Sequence, residues 1–115
     1  MSSTLTVTKA ESQRADVEVY RIDGRIDADT SSLFDKALRD VGENGSVVLD
    51  FSNVQYMNSF GIGILVDLQK RMMKAGGTIK ISGLSPALKK IFQITYLTKV
   101  FEIFDALPVA VESFK

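Results

Sequence analysis

The chain contains no cysteine, no histidine and no tryptophan. Without thiols, disulfide stapling, cysteine nucleophiles and zinc held by sulfur are excluded. Without imidazole, the commonest general base near neutral pH and the commonest transition-metal ligand are missing, so a hydrolytic triad has no middle member. An excess of one charge is lacking too: 14 Lys+Arg offset 14 Asp+Glu. That balance argues against a protein whose main business is wrapping nucleic acid, where phosphate neutralisation calls for a basic surplus. No apolar run approaches the roughly 18 residues that span a bilayer. Met1-Ser2-Ser3-Thr4-Leu5 also lacks the basic-then-apolar layout of a secretory signal, so the expected setting is the cytoplasm, without membrane contact. The 115 residues suit one domain, 1–115, with a single core and no long linker.

What is present is a regular alternation of periods. Residues 4–9 alternate around Leu5 and Val7, and residues 16–22 repeat the pattern, which reads as two half-buried strands forming a hairpin. Gly24 breaks the second run. Leu33, Phe34, Ala37, Leu38 and Val41 then recur at helical spacing behind a cap at Asp29 or Thr30. Residues 42–45 form a turn, and Val47-Val48-Leu49-Asp50-Phe51 is the apolar run of a central strand. Asn58 or Ser59 caps a helix whose buried face carries Ile62, Leu65, Val66, Leu68, Met72 and Met73 and which ends near Gly76-Gly77. Residues 78–81 are a short strand, Ser85-Pro86 opens a helix on Leu88, Ile91 and Phe92, and residues 100–104 form a last strand. Asp105 is expected to cap a terminal helix using Leu107, Ala110, Val111 and Phe114. The expected fold is α/β: a small mixed β-sheet of four to five strands, the later ones mostly parallel, with about four helices packed against it.

Charge is uneven along the chain. Residues 1–57 hold 6 basic and 10 acidic side chains, residues 58–115 hold 8 and 4, which either reflects solvated helix faces or polarises a partner surface. The most informative stretch runs from Asp50 to Gly63, joining a central strand to a helix through small polar residues. Ser59 lies at the helix entrance, where it serves either as a cap or as a phosphorylation site. It is not a hydrolase nucleophile, for it lies in no glycine-serine-glycine elbow and has no base. Gly61-Ile62-Gly63 lacks the third glycine and the lysine of a phosphate cradle. Both glycines are expected to keep the first turn slim for an approaching macromolecule, and Phe60 and Ile62 to offer an apolar contact patch. Asp23, Asp27 and Asp29 lack calcium-loop spacing. Asp27 reaches the Ser59 entrance if both strand-to-helix junctions share one sheet edge. No metal site and no cofactor are expected.

Gly24-Arg25-Ile26-Asp27, the run from Val47 to Gly63, and the run Gly83-Leu84-Ser85-Pro86-Ala87-Leu88-Lys89-Lys90-Ile91-Phe92 together resemble the bacterial anti-sigma factor antagonists of the STAS fold over nearly the whole chain. That resemblance implies a STAS-type sheet and a non-catalytic domain. It implies binding to an anti-sigma factor that is also a serine kinase, release of a sigma factor, phosphorylation at Ser59 and reversal by a PP2C-type phosphatase. Asp27, Gly61 and Gly63 match the family's positions, and with Asn58, Phe60 and Ile62 they are expected to form the partner-binding surface. Two positions depart from the family pattern: Asn58 stands where an Asp is usual, and Phe60 where a small residue is. The second reading is therefore a constitutive STAS scaffold or interaction module without phosphorylation.

Overall fold

The computed structural model describes residues 4–42 and 44–114; Glu43, within the expected turn at 42–45, lies outside them. The first two strands are β1 (Leu5–Ala10) and β2 (Val17–Ile26), an antiparallel hairpin pairing Leu5 with Gly24 and Ala10 with Val19. There follow α1 (Ser31–Arg39), β3 (Ser46–Met57), α2 (Ser59–Ala75), β4 (Thr78–Ser82), α3 (Pro86–Ile94), a 3-10 turn (Leu97–Lys99), β5 (Glu102–Phe104) and α4 (Leu107–Glu112). The sheet order is β1-β2-β3-β4-β5, and every pair after the hairpin is parallel, because a helix carries the chain back each time. Element order, hairpin and parallel crossovers are those expected from the periodicity.

Strand alternation sends side chains to two unequal cores. Along β3, Val47, Leu49 and Phe51 join the main cluster under α1, α2 and α3, which supply Phe34, Leu38, Leu65, Leu68, Met72, Leu88 and Phe92. Val48 points the other way, where Val17, Val19, Ala110, Val111 and Phe114 seat the short α4. Each large side chain wholly removed from water contributes about 1.5–3 kcal/mol before entropy is counted. The larger cluster therefore anchors the three helices that bear on the site.

Several local expectations are corrected. Gly24 does not end β2. Its φ of +119° and the close approach of the Thr4 carbonyl suit glycine alone, and the strand continues through a register shift to Ile26. β3 runs on to Met57, since Val54 and Met57 are buried and pair along β2 even though Ser52, Asn53, Gln55 and Tyr56 face solvent. Leu33 is 48% exposed and Met73 69%, because each sits one residue off the inward stripe of its helix. The last strand begins at Glu102, as Val100 caps the 3-10 turn. Ala106, not Asp105, holds the cap position of α4, and the Asp105 carboxylate accepts instead from Lys89 Nζ at 2.8 Å.

Candidate functional site

β2 and β3 run side by side to a common end, where Ile26 pairs with Met57 and the Asn58 amide donates to the Ile26 carbonyl at 2.9 Å. Asp27 and Asn58 are the next residues of the two strands, so one sheet edge carries both strand-to-helix junctions. Open parallel sheets place their sites at this carboxyl edge.

At the α2 entrance, Asn58 Oδ1 accepts from the Gly61 amide at 3.0 Å, making Asn58 the cap and Ser59 the first helical residue. Asn58 performs the capping job with a neutral amide where a carboxylate would serve equally. Released from capping, the Ser59 side chain is exposed and has no hydrogen-bond partner among the described residues. Phe60 beside it is 68% exposed. Ile62 is half-buried and packs on the main core, so it is a less open contact than expected.

The two glycines differ in purpose. A Cβ on Gly61 would lie 2.6 Å from Met57 Cγ and 2.7 Å from Ile26 Cγ2, so this glycine lets α2 sit tightly on its own strands. Gly63 is exposed, and beyond its own turn of helix no atom of the described residues lies within 4 Å of where a methyl group would stand, so it is open to an approaching surface.

At the neighbouring junction, Asp27 Oδ1 accepts from the Asp29 amide at 3.0 Å, and Oδ2 lies 3.7 Å from Arg25 Nε. Thr30 Oγ1 accepts from the Asp27 amide at 2.9 Å and donates to the Arg25 carbonyl at 2.6 Å, so it braces the turn and makes no side-chain cap bond to α1. Asp27 thus organises the start of α1 and does not line the groove in front of Ser59. That groove, of about 480 Å³, is bounded by Ser31, Ser32, Asp35 and Arg39 of α1 and by Ser59, Phe60, Gly63, Ile64 and Asp67 of α2. Asp35 and Arg39 form an ion pair at 3.2 Å across one turn, and Asp67 pairs with Arg71 at 3.2 Å. Exposed Tyr56, with the Arg25 guanidinium 4.8 Å from its ring centre, flanks the same sheet edge.

The α1 wall and Tyr56 were not singled out from the sequence. The signal available was the polar face of α1, whose meaning depends on α2 lying alongside. Chemically the site offers a free hydroxyl, an aromatic ring and paired charges on a broad surface. Among the described residues no group of three or more acidic side chains is placed to hold a metal ion, and no helix is long and apolar enough to cross a membrane.

This arrangement has close counterparts. The STAS domain profile matches residues 9–110. The anti-sigma-B factor antagonist of Bacillus subtilis is 33% identical over 89 residues, covering 76% of this chain and 81% of that protein. A crystal structure of an anti-sigma factor antagonist from Mycobacterium paratuberculosis superimposes with a TM-score of 0.83 at 24% identity, covering 96% of this chain and 93% of that one. The phosphorylated form of the Bacillus cell fate determinant SpoIIAA superimposes with a TM-score of 0.61 at 17% identity, covering 93% and 97% of the two chains. The five-stranded mixed sheet, the paired junctions at its carboxyl edge and these matches agree that the chain belongs to the STAS domain, anti-sigma factor antagonist family.

Proposed function

We propose that this domain is a cytoplasmic anti-sigma factor antagonist: it binds an anti-sigma factor with serine kinase activity, and phosphorylation of Ser59 switches that binding off. The observation that carries the reading is the Ser59 hydroxyl, exposed, free of hydrogen bonds among the described residues and flanked by an exposed Phe60. A kinase reaches such a hydroxyl without unfolding the helix. The Bacillus subtilis relative, an anti-sigma-B factor antagonist, and a fold relative solved in a phosphorylated form support the same partner class and chemistry.

In the unmodified state, Ser59, Phe60, Ile62 and Gly63 with the Asn58 cap form the contact surface, Asp27 stiffens the neighbouring junction, and Gly61 seats the helix beneath. A phosphoryl group adds a charge of about −1.5 to −2. At the first residue of α2 the helix dipole tolerates that charge, so the fold survives and the contact surface changes. The groove walls carry Asp35 and Asp67 already balanced by Arg39 and Arg71, so a dianion makes the site net acidic, and an apolar or acidic partner surface over Phe60 must then desolvate or oppose it. A penalty of about 3 kcal/mol lowers affinity about 150-fold. A PP2C-type phosphatase resets the surface.

The test is incubation with the cognate anti-sigma kinase and ATP, followed by phosphosite mapping and calorimetric binding. Phosphate on Ser59 with loss of affinity is expected. Ser59→Ala should bind as the unmodified protein does, and Ser59→Asp should bind more weakly. Equal binding by modified and unmodified protein would instead support a constitutive STAS scaffold, the reading favoured by neutral Asn58 and bulky Phe60. Absence of phosphate on Ser59 removes the switch.

A further inference from the structure

A second exposed apolar surface lies on the opposite flank of α2. Gln69 Nε2 donates to the Val100 carbonyl at 2.9 Å, which fastens the middle of α2 to the end of the 3-10 turn. Met73, one helical turn beyond Gln69, is 69% exposed, and Val100, at the bonded end of the 3-10 turn, is 40% exposed, with Tyr96 and Ile94 shortly before it in the chain at 69% and 68%. The surface therefore combines the end of α2 with the segment that follows α3.

Tyr96 has an unusual backbone. Its φ of +62° and ψ of +17° make it the only non-glycine residue with positive φ among the described residues, directly after the α3 cap residue Thr95. Glycine or asparagine fills such helix-ending positions without the steric cost that a bulky side chain meets there. The tyrosine ring makes no ring contact among the described residues and, being exposed, gains no burial in return. Its presence is not explained by the stability of the fold, and strain of this kind gathers at functional surfaces.

Charge supplies an independent observation. All five arginines of the chain are in ion pairs. Lys9, Lys80 and Lys89 are paired as well, whereas Lys36, Lys70, Lys74, Lys90 and Lys99 have no ion-pair partner among the described residues. Four of these five belong to the segments that build the apolar surface. Lys70 and Lys74 lie beside Met73 on the side of α2 turned away from Gln69, Lys90 precedes Ile94 by one turn of α3, and Lys99 adjoins Val100. The carboxylates of Asp67, Glu102 and Asp105 are each committed to another cation.

We infer that the surface formed by Met73, Ile94, Tyr96 and Val100, rimmed by Lys70, Lys74, Lys90 and Lys99, docks an acidic protein segment that carries apolar side chains. The occupant follows from complementarity: apolar anchors cover the exposed side chains, and carboxylates meet the four ammonium groups that lack ion-pair partners among the described residues. A protein segment is the occupant assigned, and a lipid surface is the alternative that the vesicle arm of the test distinguishes from it. This docking does not depend on Ser59, so the domain can hold a second partner whatever the state of its phosphorylation site.

The test uses the full chain and a fluorescent glutamate-rich peptide with leucines at i, i+3, i+4 and i+7, beside a control peptide with serines at those positions. The leucine peptide should bind, more weakly as salt rises, and the serine peptide should not. Lys70→Glu with Lys74→Glu, and separately Met73→Ser, should each weaken binding at least about tenfold. Val109→Ser, an exposed apolar change on α4, should leave it unaltered. Tyr96→Gly should weaken binding while raising the melting midpoint, a combination that loss of folding cannot produce. Equal binding of the two peptides, indifference to the Lys70, Lys74 and Met73 changes, or sedimentation with phosphatidylglycerol–phosphatidylcholine vesicles in place of peptide binding would each overturn the assignment.

Discussion

Gly61 and Gly63 lie two residues apart in the first turns of α2, yet alanine at each should act with opposite sign. Either substitution relieves the conformational entropy of a helical glycine and stabilises by about 0.5–1 kcal/mol if nothing else changes. At Gly63 no atom of the described residues beyond its own turn of helix lies within 4 Å of the new methyl group, so that gain should appear in full. At Gly61 the methyl would meet Met57 Cγ at 2.6 Å and Ile26 Cγ2 at 2.7 Å. Met57 has rotatable bonds with which to give way, but Ile26 is wholly buried at the end of β2, and its backbone carbonyl holds the Asn58 amide. Overpacking against such a neighbour costs about 1–3 kcal/mol. Subtracting the helix gain leaves a net loss of up to about 2.5 kcal/mol for Gly61→Ala, and a gap between the two variants of about 1–3 kcal/mol. Urea titration followed by circular dichroism reads both, with the slope of the transition checked for constancy. A Gly61→Ala protein as stable as Gly63→Ala would refute the packing argument and show that α2 relaxes off the sheet at little cost. Because Ser59 rides on the same turn, a shift of the helix in Gly61→Ala should also weaken partner binding, whereas Gly63→Ala tests the outer face alone.

Other outcomes follow from single contacts. Asn58→Ala removes the acceptor for the Gly61 amide and should cost about 1 kcal/mol in thermal unfolding, whereas Asn58→Asp keeps the cap and should stay within about 0.5 kcal/mol of the parent. Phe92→Ala removes a fully buried ring that meets Phe51 edge-on at 6.3 Å and should cost about 3–5 kcal/mol, enough to lower expression of soluble protein. The Asp16 carboxyl is held below its ordinary value of 3.8 by hydrogen bonds from Arg14, whose guanidinium also donates to the Phe114 carbonyl. Its stabilising effect is therefore complete above that ordinary value and is lost as the pH falls through the lowered one. Asp16→Asn should flatten the acid limb of a stability profile, by a small amount because the pair is exposed.

The same residues show how far the sequence could be read. Periodicity alone yielded every strand and α-helix in order, the hairpin and the parallel crossovers, because burial on one face imposes a repeat of two or of 3.6 on the chain, but it did not yield the 3-10 turn. It failed at Gly24 and beyond Phe51, where pairing with a neighbouring strand carried β2 and β3 through residues that looked like turn. It also misplaced Leu33 and Met73 by one position each, since a helical wheel marks a stripe and only the packed neighbours mark its edges.

At the candidate site, the sequence by itself determined that a serine, a cap and two glycines stand at a helix entrance, and that the chain has no histidine or cysteine for chemistry. Only the tertiary structure decided that Asn58 is the cap and leaves the Ser59 hydroxyl free, that Gly61 faces inward while Gly63 faces out, and that α1 supplies the other wall of the groove. The division has a physical reason. Propensity and period are set by near neighbours along the chain, whereas exposure and close approach are set by elements that the parallel sheet brings together from distant parts of it.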